Sequence, residues 1–191
     1  MLKIAITRPY AVDGEDTIIR HLLANGFDIV HLRKPDADID YCRELLQRLT
    51  HSERKRVVIH DYYSLYSEFN LRGIHLNKNI ASYPVDYQGT RTRSCHSFDE
   101  VVRHKHECDY LFLSPIFDSI SKEGYNATFS NEELMRVKDS DKVVALGGIT
   151  PLTATKLNEY EFIGYAVLGY LFNSPDIATL ENRLNEFEII K

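Results

Sequence analysis

Eight short apolar runs, separated by longer segments with a helical spacing of apolar residues, are the feature that most restricts the fold of this chain. This alternation is typical of parallel strands joined by crossover helices. The clearest helical segments are 99–107, 131–137 and 179–187. The predicted strands are 3–7, 29–34, 56–61, 73–77, 92–97, 110–117, 142–147 and 164–171.

Eight strand-helix units predict an α/β fold, a short TIM (β/α)8 barrel whose fourth helix is degenerate or missing. The usual barrel has about 250 residues, whereas this chain has 191. Residues 79–89, between the fourth and fifth strands, contain Pro84 and no helical apolar period, so we predict a loop there. Arg91 and Arg93 share one face of the next strand, which suits an outer face that no helix buries. A doubly wound open sheet uses the same units and is the alternative fold.

Composition and charge narrow the class of protein. With 43% apolar residues and no linker-like stretch, residues 1–191 are expected to form a single domain. The net charge of -5, with acids and bases interspersed, argues against a nucleic-acid partner. Cys42, Cys95 and Cys108 lack CxxC spacing, and no stretch resembles a signal or membrane segment, so a cytoplasmic protein without a membrane partner is expected. A second copy of the chain is a candidate cover for the outer face of the fifth strand, which leaves a homo-oligomer open.

The seventh predicted strand runs directly into Gly147 and Gly148 and then into a helix start. Thr150 is a good N-cap and Pro151 is a good first helical residue. The glycine amides would therefore lie beside a positive helix terminus, where an anion is stabilised. We interpret this segment as a phosphate cradle, and a plain strand-to-helix turn is the alternative.

The predicted strands end in polar residues, and active sites of barrels lie at the carboxyl ends of the strands. The mouth is therefore predicted to collect histidines, an aspartate and cations. A zinc site is one hypothesis, although the sequence contains no HxH pair at these positions. Its ligands would be His31, His60, His75, His96 and Asp61.

Six segments, in order along nearly the whole chain, resemble the thiamin phosphate synthase/TenI superfamily, whose members are single-domain barrels of thiamin biosynthesis. HLRK (31–34), IHD (59–61) and GIHL (73–76) resemble the QLREK, IND and GVHL of that family. SCHS (94–97), SPIFDSISK (114–122) and ALGGI (145–149) resemble its SxHS, GPIFPTxTK and AIGGI. Each motif is weak alone, but six in the right order and spacing are specific.

The resemblance implies a transferase that couples hydroxymethylpyrimidine diphosphate to thiazole phosphate and releases pyrophosphate. Arg33 and Lys122 would stabilise the departing diphosphate, together with Mg²⁺. His96 would be a further catalytic residue. The residues implied to bind the substrates are His31, His60, Ser94, Ser119, Ser121, Gly147, Gly148, Gly169 and Tyr170.

Several departures from the family pattern lie at the diphosphate end. The lysine that follows the second strand in the family falls on Pro35, its pyrimidine-contacting glutamine falls on His31, and its asparagine falls on His60. Asp61 is retained as one Mg²⁺ ligand, whereas the second aspartate of the family falls on Ile80. The Mg²⁺ site is therefore incomplete, although one carboxylate with substrate phosphates can hold this ion.

These departures leave two other functions open. A TenI-like tautomerase would isomerise a thiazole carboxylate phosphate without diphosphate or metal, and His96 would move the proton. A non-catalytic protein that binds thiazole phosphate for regulation is the other alternative. The near-intact segment 119–122 favours the synthase, because tautomerisation of a monophosphate has less need of cations.

Overall fold

The computed structural model describes residues 1–77, 82–118, 127–139, 141–172 and 177–188. Its parallel strands form a closed barrel in chain order, with β8 returning to pair with β1, which confirms the barrel and rules out the open sheet. The strands are β1 (Leu2–Ile6), β2 (Ile29–Leu32), β3 (Val57–Ile59), β4 (Gly73–Leu76), β5 (Thr90–Cys95), β6 (Tyr110–Leu113), β7 (Val143–Leu146) and β8 (Gly164–Val167).

Helices surround the barrel because their apolar faces pack against the outer faces of the strands. None of the described helices is long and apolar enough to span a bilayer. The α-helices are α1 (Glu15–Ala24), α2 (Ile39–Arg48), α3 (His51–Arg54), α4 (Ser64–Phe69), α5 (Phe98–His104), α6 (Asn131–Leu134), α7 (Pro151–Lys156), α8 (Gly169–Phe172) and α9 (Ile177–Glu188), and two 3-10 helices cover Met135–Asp139 and Leu157–Glu159.

The described part of the connection from β4 to β5, residues 82–89, contains no helix, as the sequence predicts. Two tyrosines cover the outer face of β5 instead. The rings of Tyr83 and Tyr87 stack with centroids 5.2 Å apart, and the Arg91 guanidinium lies 5.5 and 5.8 Å from them. The Tyr87 hydroxyl donates to the Thr90 carbonyl at 2.7 Å. Arg91 is tolerated on this face because aromatic rings lie over it, and Arg93 on the same face lies 3.0 Å from the His104 ring at the end of α5.

Two predicted strands extend four residues too far, because an apolar run alone does not show where a strand ends. The strand predicted over 110–117 ends at Leu113, shortly before Pro115, which lacks the amide that a ladder needs. The strand predicted over 164–171 ends at Val167, and α8 begins at Gly169. Gly169 and Tyr170 therefore lie in the first turn of a helix.

A buried ion pair holds the segment after β1 against the end of β2. The Lys34 ammonium lies 2.7 Å from the Glu15 carboxylate and donates to the carbonyls of Arg8 and Tyr10 at 2.8 Å. Lys34 and Glu15 are 0% and 4% exposed. The Tyr41 hydroxyl lies 2.6 Å from Glu15 Oε2 and accepts from the Val12 amide. With these partners the two charges are fully hydrogen-bonded, as a buried pair requires.

Replacing Tyr41 by phenylalanine is expected to lower the free energy of unfolding by about 1–2 kcal/mol. The change leaves the Val12 amide and the Glu15 carboxylate each without one partner in a partly buried place. Urea unfolding measures the loss, with Tyr10→Phe as the matched control because Tyr10 is 51% exposed. Equal stabilities of the two variants would contradict the prediction.

Candidate active site

A cavity of about 550 Å³ opens at the carboxyl ends of the barrel strands. Its deeper wall is apolar and includes Ile6, Phe112 and Ala166. A pocket of this size, with an apolar wall and convergent polar groups, suits a small organic ligand. The predicted site residues that line it are Arg33, His60, Ser94, His96, Gly147, Gly148, Gly169 and Tyr170.

The end of β7 forms an open cradle of backbone amides. Gly147 and Gly148 have positive φ angles of 99° and 64°, which favour glycine. The Phe117 amide donates to the Gly147 carbonyl at 3.1 Å, and no described residue accepts from the two glycine amides. Thr150 caps α7 and Pro151 opens it, as predicted. The geometry suits an anion, because two amides without a described acceptor lie at the cavity beside the capped start of α7.

Gly169, at the start of α8, adds a second helix terminus to this side of the cavity. The first amides of a helix have no partner within the helix. Since β7 and β8 are neighbours in the barrel, the two sets of amides belong to one side of the mouth. Barrels frequently hold a phosphate in this place.

His96 presents one basic nitrogen at the mouth. Its Nδ1 lies 3.1 Å from the Ser114 carbonyl oxygen and 3.4 Å from the Ser114 hydroxyl, and the shorter contact, to an atom that can only accept, favours a proton on Nδ1. The His96 amide donates to Glu100 at 2.6 Å, which holds the start of the following turn. A ring with its proton on Nδ1 has Nε2 as its acceptor, so His96 can accept a hydrogen bond there.

Arg33 follows β2 and supplies a cation at the mouth. Its backbone is held by Thr7, whose hydroxyl accepts from the Arg33 amide at 3.0 Å and lies 3.3 Å from the Arg33 carbonyl. Within the described ranges, the guanidinium makes no hydrogen bond or ion pair. The fork of Arg33 is therefore available for a bidentate contact with an anionic ligand.

The remaining predicted site residues are placed elsewhere or are not described. Asp61 does not line the cavity, and its Oδ2 accepts from the Lys34 amide at 3.0 Å. His31 is fully buried below the cavity. Ser119, Ser121 and Lys122 lie outside the described residues, as does Ile80.

Three histidines from neighbouring strands meet inside the barrel. His31 Nδ1 lies 2.8 Å from His60 Nε2, and His31 Nε2 lies 2.6 Å from the Tyr110 hydroxyl. The rings of His60 and His75 stack with centroids 4.1 Å apart. Local sequence patterns predict the strands, but they do not show that β2, β6 and the end of β3 bring His31, Tyr110 and His60 into one hydrogen-bonded chain.

The third histidine of this group is held by two hydroxyls on β5. His75 Nδ1 lies 2.7 Å from Thr92 Oγ1, and His75 Nε2 lies 3.0 Å from Ser94 Oγ. Ser94 itself lines the cavity. Both nitrogens of His75 are therefore occupied, which fixes the ring against the floor of the cavity.

Burial keeps the three histidines neutral. It lowers the pKa of His31 and His60 well below the usual range and lowers the pKa of His75 to about 3. Their ligand atoms lie within 4.8 Å of one another, but neither His96 nor Asp61 joins this group in the described part of the chain. A zinc ion there would displace the hydrogen bonds that the rings already make.

Known proteins resemble this chain over most of its length. The family model TMP-TENI, thiamine monophosphate synthase, matches residues 4–171. Thiamine-phosphate synthase of Limosilactobacillus reuteri is 26% identical over 165 residues, which are 81% of this chain and 76% of that protein. The corresponding protein of Nitrosococcus oceani is 29% identical over 142 residues, or 70% of this chain and 65% of that protein.

Solved structures agree with the family model. Thiamine phosphate pyrophosphorylase from Bacteroides thetaiotaomicron has a TM-score of 0.88 and 35% sequence identity, covering 100% of this chain and 97% of its own. A thiamine phosphate pyrophosphorylase from Pyrococcus furiosus, at 18% identity over 99% of this chain and 94% of its own, shares the fold with a TM-score of 0.78. The chain therefore belongs to the thiamine monophosphate synthase family.

Proposed function

We propose that the chain is a thiamin phosphate synthase, a transferase that couples hydroxymethylpyrimidine diphosphate to thiazole phosphate and releases pyrophosphate. The observation that carries this proposal is one cavity with two separate sets of groups suited to anions. Among the described residues, a guanidinium without a hydrogen-bond partner lies after β2, and glycine amides without an acceptor follow β7, three strands away around the barrel. Two phosphorylated substrates need two such sites. Family membership and the 35% identity to the Bacteroides thetaiotaomicron protein support it.

Arg33 would act on the diphosphate. In the coupling, the bond between the pyrimidine methylene carbon and the diphosphate oxygen breaks, and pyrophosphate leaves with the electron pair. The thiazole nitrogen supplies the pair for the new C–N bond. Because negative charge grows on the leaving group, a fixed guanidinium binds the transition state more strongly than the ground state.

The amides after β7 and β8 would hold the phosphate of the thiazole. Gly147, Gly148 and Gly169 offer N–H groups with no described acceptor, and a phosphate monoester brings several acceptor oxygens. This contact would fix the thiazole nitrogen relative to the methylene carbon, so that the reaction proceeds between oriented partners. His96 Nε2 would accept a hydrogen bond from a donor on the pyrimidine, such as its amino group.

One carboxylate next to the cavity-lining His60 is available for Mg²⁺, although it does not itself line the cavity. Asp61 has one oxygen on the Lys34 amide, which leaves the other for a cation, and within the described ranges it belongs to no group of three metal-ligating side chains. Mg²⁺ is commonly held by one or two carboxylates, waters and substrate phosphates. Asp61 would hold the ion, which when bound would neutralise part of the diphosphate charge.

The test is incubation of the purified chain with both substrates and Mg²⁺, followed by assays for thiamin phosphate and pyrophosphate. We expect both products in equal amounts, and we expect Lys122→Ala to lower the rate while the exposed Lys156→Ala does not. Absence of thiamin phosphate would overturn the proposal. Isomerisation of a thiazole carboxylate phosphate would then identify a tautomerase, and binding without any turnover would identify a regulatory protein.

Replacing Gly148 by alanine is expected to weaken binding of thiazole phosphate about 10- to 100-fold, since small displacements of positioning groups have effects of this order. A Cβ at this position would lie 2.4 Å from the Asp118 carbonyl oxygen, so the neighbouring backbone must move. Titration of thiazole phosphate into the variant measures the loss.

Gly26→Ala is the matched control for this substitution. Gly26 also has a positive φ, 85°, but a Cβ there would meet nothing within 4 Å. Both variants carry the backbone penalty of a left-handed alanine, about 1–2 kcal/mol. Only Gly148→Ala should lose affinity, and equal affinities would show that the cradle does not bind the phosphate.

A further inference from the structure

The interior of the barrel holds a hydrogen-bonded chain that runs from β6 through β2 to the cavity. The Tyr110 hydroxyl lies 2.6 Å from His31 Nε2, and His31 Nδ1 lies 2.8 Å from His60 Nε2. Tyr110 and His31 are 4% and 0% exposed. His60 is the member of the chain that lines the cavity.

The buried end of this hydrogen-bonded chain determines which atoms donate and which accept. Burial raises the pKa of Tyr110, so its hydroxyl keeps the proton. Within the described ranges, His31 Nε2 is the one hydrogen-bond partner of this hydroxyl. A buried O–H group without an acceptor would cost about 1–3 kcal/mol. The Tyr110 hydroxyl therefore donates to His31 Nε2.

Donation by the Tyr110 hydroxyl fixes the tautomers of both imidazoles. A neutral imidazole carries one proton, so His31 with an acceptor Nε2 has its proton on Nδ1. His31 Nδ1 then donates to His60 Nε2, and the proton of His60 must lie on its own Nδ1. Both rings are buried, and a buried charge without a counter-ion is costly, so each ring holds one proton.

His60 Nδ1 has no hydrogen-bond partner among the described residues, but this atom is not shut off from the surrounding space. The one buried side-chain nitrogen or oxygen without a partner in the described part of the chain is Arg54 Nε. Because His60 lines the cavity, its Nδ1–H group is open to that space.

We propose that Tyr110 and His31 are positioning residues that fix His60 as an N–H donor toward the cavity, so that the ligand group placed there must be a hydrogen-bond acceptor. The identification of this acceptor as a ring nitrogen of the pyrimidine rests on the proposed function. A side-chain amide can donate or accept after a simple rotation, whereas a histidine at the end of this chain cannot reverse unless the whole chain reverses. This hydrogen-bonded chain thus makes the floor of the cavity selective for ligands that present a hydrogen-bond acceptor to His60.

The first experiment determines the histidine tautomers in the unliganded protein. Long-range proton–nitrogen correlation spectra of the ¹⁵N-histidine-labelled full chain, near neutral pH, show which ring nitrogen carries the proton. His31→Gln and His60→Asn assign the signals. We expect protonated Nδ1 and unprotonated Nε2 for both residues, and a proton on His60 Nε2 would overturn the proposal.

Tyr110→Phe tests the origin of the tautomer. We expect His60 to lose its single tautomer in this variant, with both ring nitrogens moving toward averaged shifts. Tyr165→Phe is the matched control, because Tyr165 is also a buried barrel tyrosine but packs in the layer outside the strands. A His60 that stays wholly Nδ1-protonated in folded Tyr110→Phe would overturn the proposal. If Tyr110→Phe does not fold, the tautomers measured in the wild-type protein alone test the proposal.

The second experiment tests recognition with hydroxymethylpyrimidine and its benzene analogue, in which both ring nitrogens are replaced by CH. We expect the pyrimidine to bind at least about tenfold more tightly, and we expect Tyr110→Phe to reduce this ratio. Equal binding of both compounds to the wild type would overturn the acceptor assignment. The tautomers are measured without substrate. A protein that shows the expected tautomers but makes no thiamin phosphate would therefore refute only the proposed function.

Discussion

The free energy of unfolding is expected to fall by about 4 kcal/mol for each pH unit below about 6.5, which is the unfolded-state pKa of histidine. Burial lowers the pKa of His31, His60 and His75 in the folded protein, that of His75 to about 3. Between these limits the unfolded chain binds more protons than the folded one. Each histidine therefore removes about 1.4 kcal/mol per pH unit as the pH falls, and this stability is fully present above pH 6.5.

Urea unfolding at pH 7, 6 and 5 measures this slope. The matched variant carries His31→Gln and His60→Asn, the residues that the family resemblance puts at these positions. It retains His75 alone from the group, so its slope should fall to about 1.4 kcal/mol per pH unit. Since a typical domain has only 5–15 kcal/mol of stability, the wild type should unfold near pH 5. Equal slopes for the two proteins would mean that the barrel histidines are not the acid-sensitive groups.

Arg33→Ala is expected to lower kcat/KM of the proposed coupling reaction about 10²- to 10³-fold, the usual effect of removing one group that stabilises transition-state charge. Most of the loss should appear in kcat, because the charge on the diphosphate grows as the C–O bond breaks. Arg33→Lys should recover only part of the rate, since an ammonium lacks the planar fork of a guanidinium. Steady-state kinetics at saturating Mg²⁺ measure both variants.

Arg48→Ala is the control for this substitution. The Arg48 side chain is 59% exposed on α2 and its ion-pair contacts are 3.8 Å long, so its loss should leave the rate unchanged. A folded Arg33→Ala protein with the wild-type rate would show that this guanidinium does not act on the leaving group.

The alternation of apolar runs was sufficient to predict the barrel, because each strand-helix unit shows its own local pattern. The absence of a helix from the described residues between β4 and β5 was also predictable, since Pro84 and the paired arginines of β5 both argue against a covering helix. Strand ends were less predictable. The run from Gly164 to Leu171 is apolar throughout, and only the closed sheet shows that it becomes a helix at Gly169.

The mouth residues were predictable because side chains at strand ends must share one edge of a closed sheet. Their partners were not predictable. Lys34 follows Arg33 directly and has the same charge, yet it lies buried on Glu15 while Arg33 faces the cavity. The link from Tyr110 to His31 joins residues 79 positions apart, and no local pattern records such a distance.

The chain of hydrogen bonds from Tyr110 to His60 makes the effect of a substitution on one strand depend on the residues of two others. A change at His31 alone leaves both an unmatched hydroxyl and an unmatched imidazole nitrogen, whereas a concerted change can satisfy every group again. Substitutions here should therefore be strongly epistatic. A lineage that carries this arrangement should exchange Tyr110, His31 and His60 as a set rather than drift through single replacements.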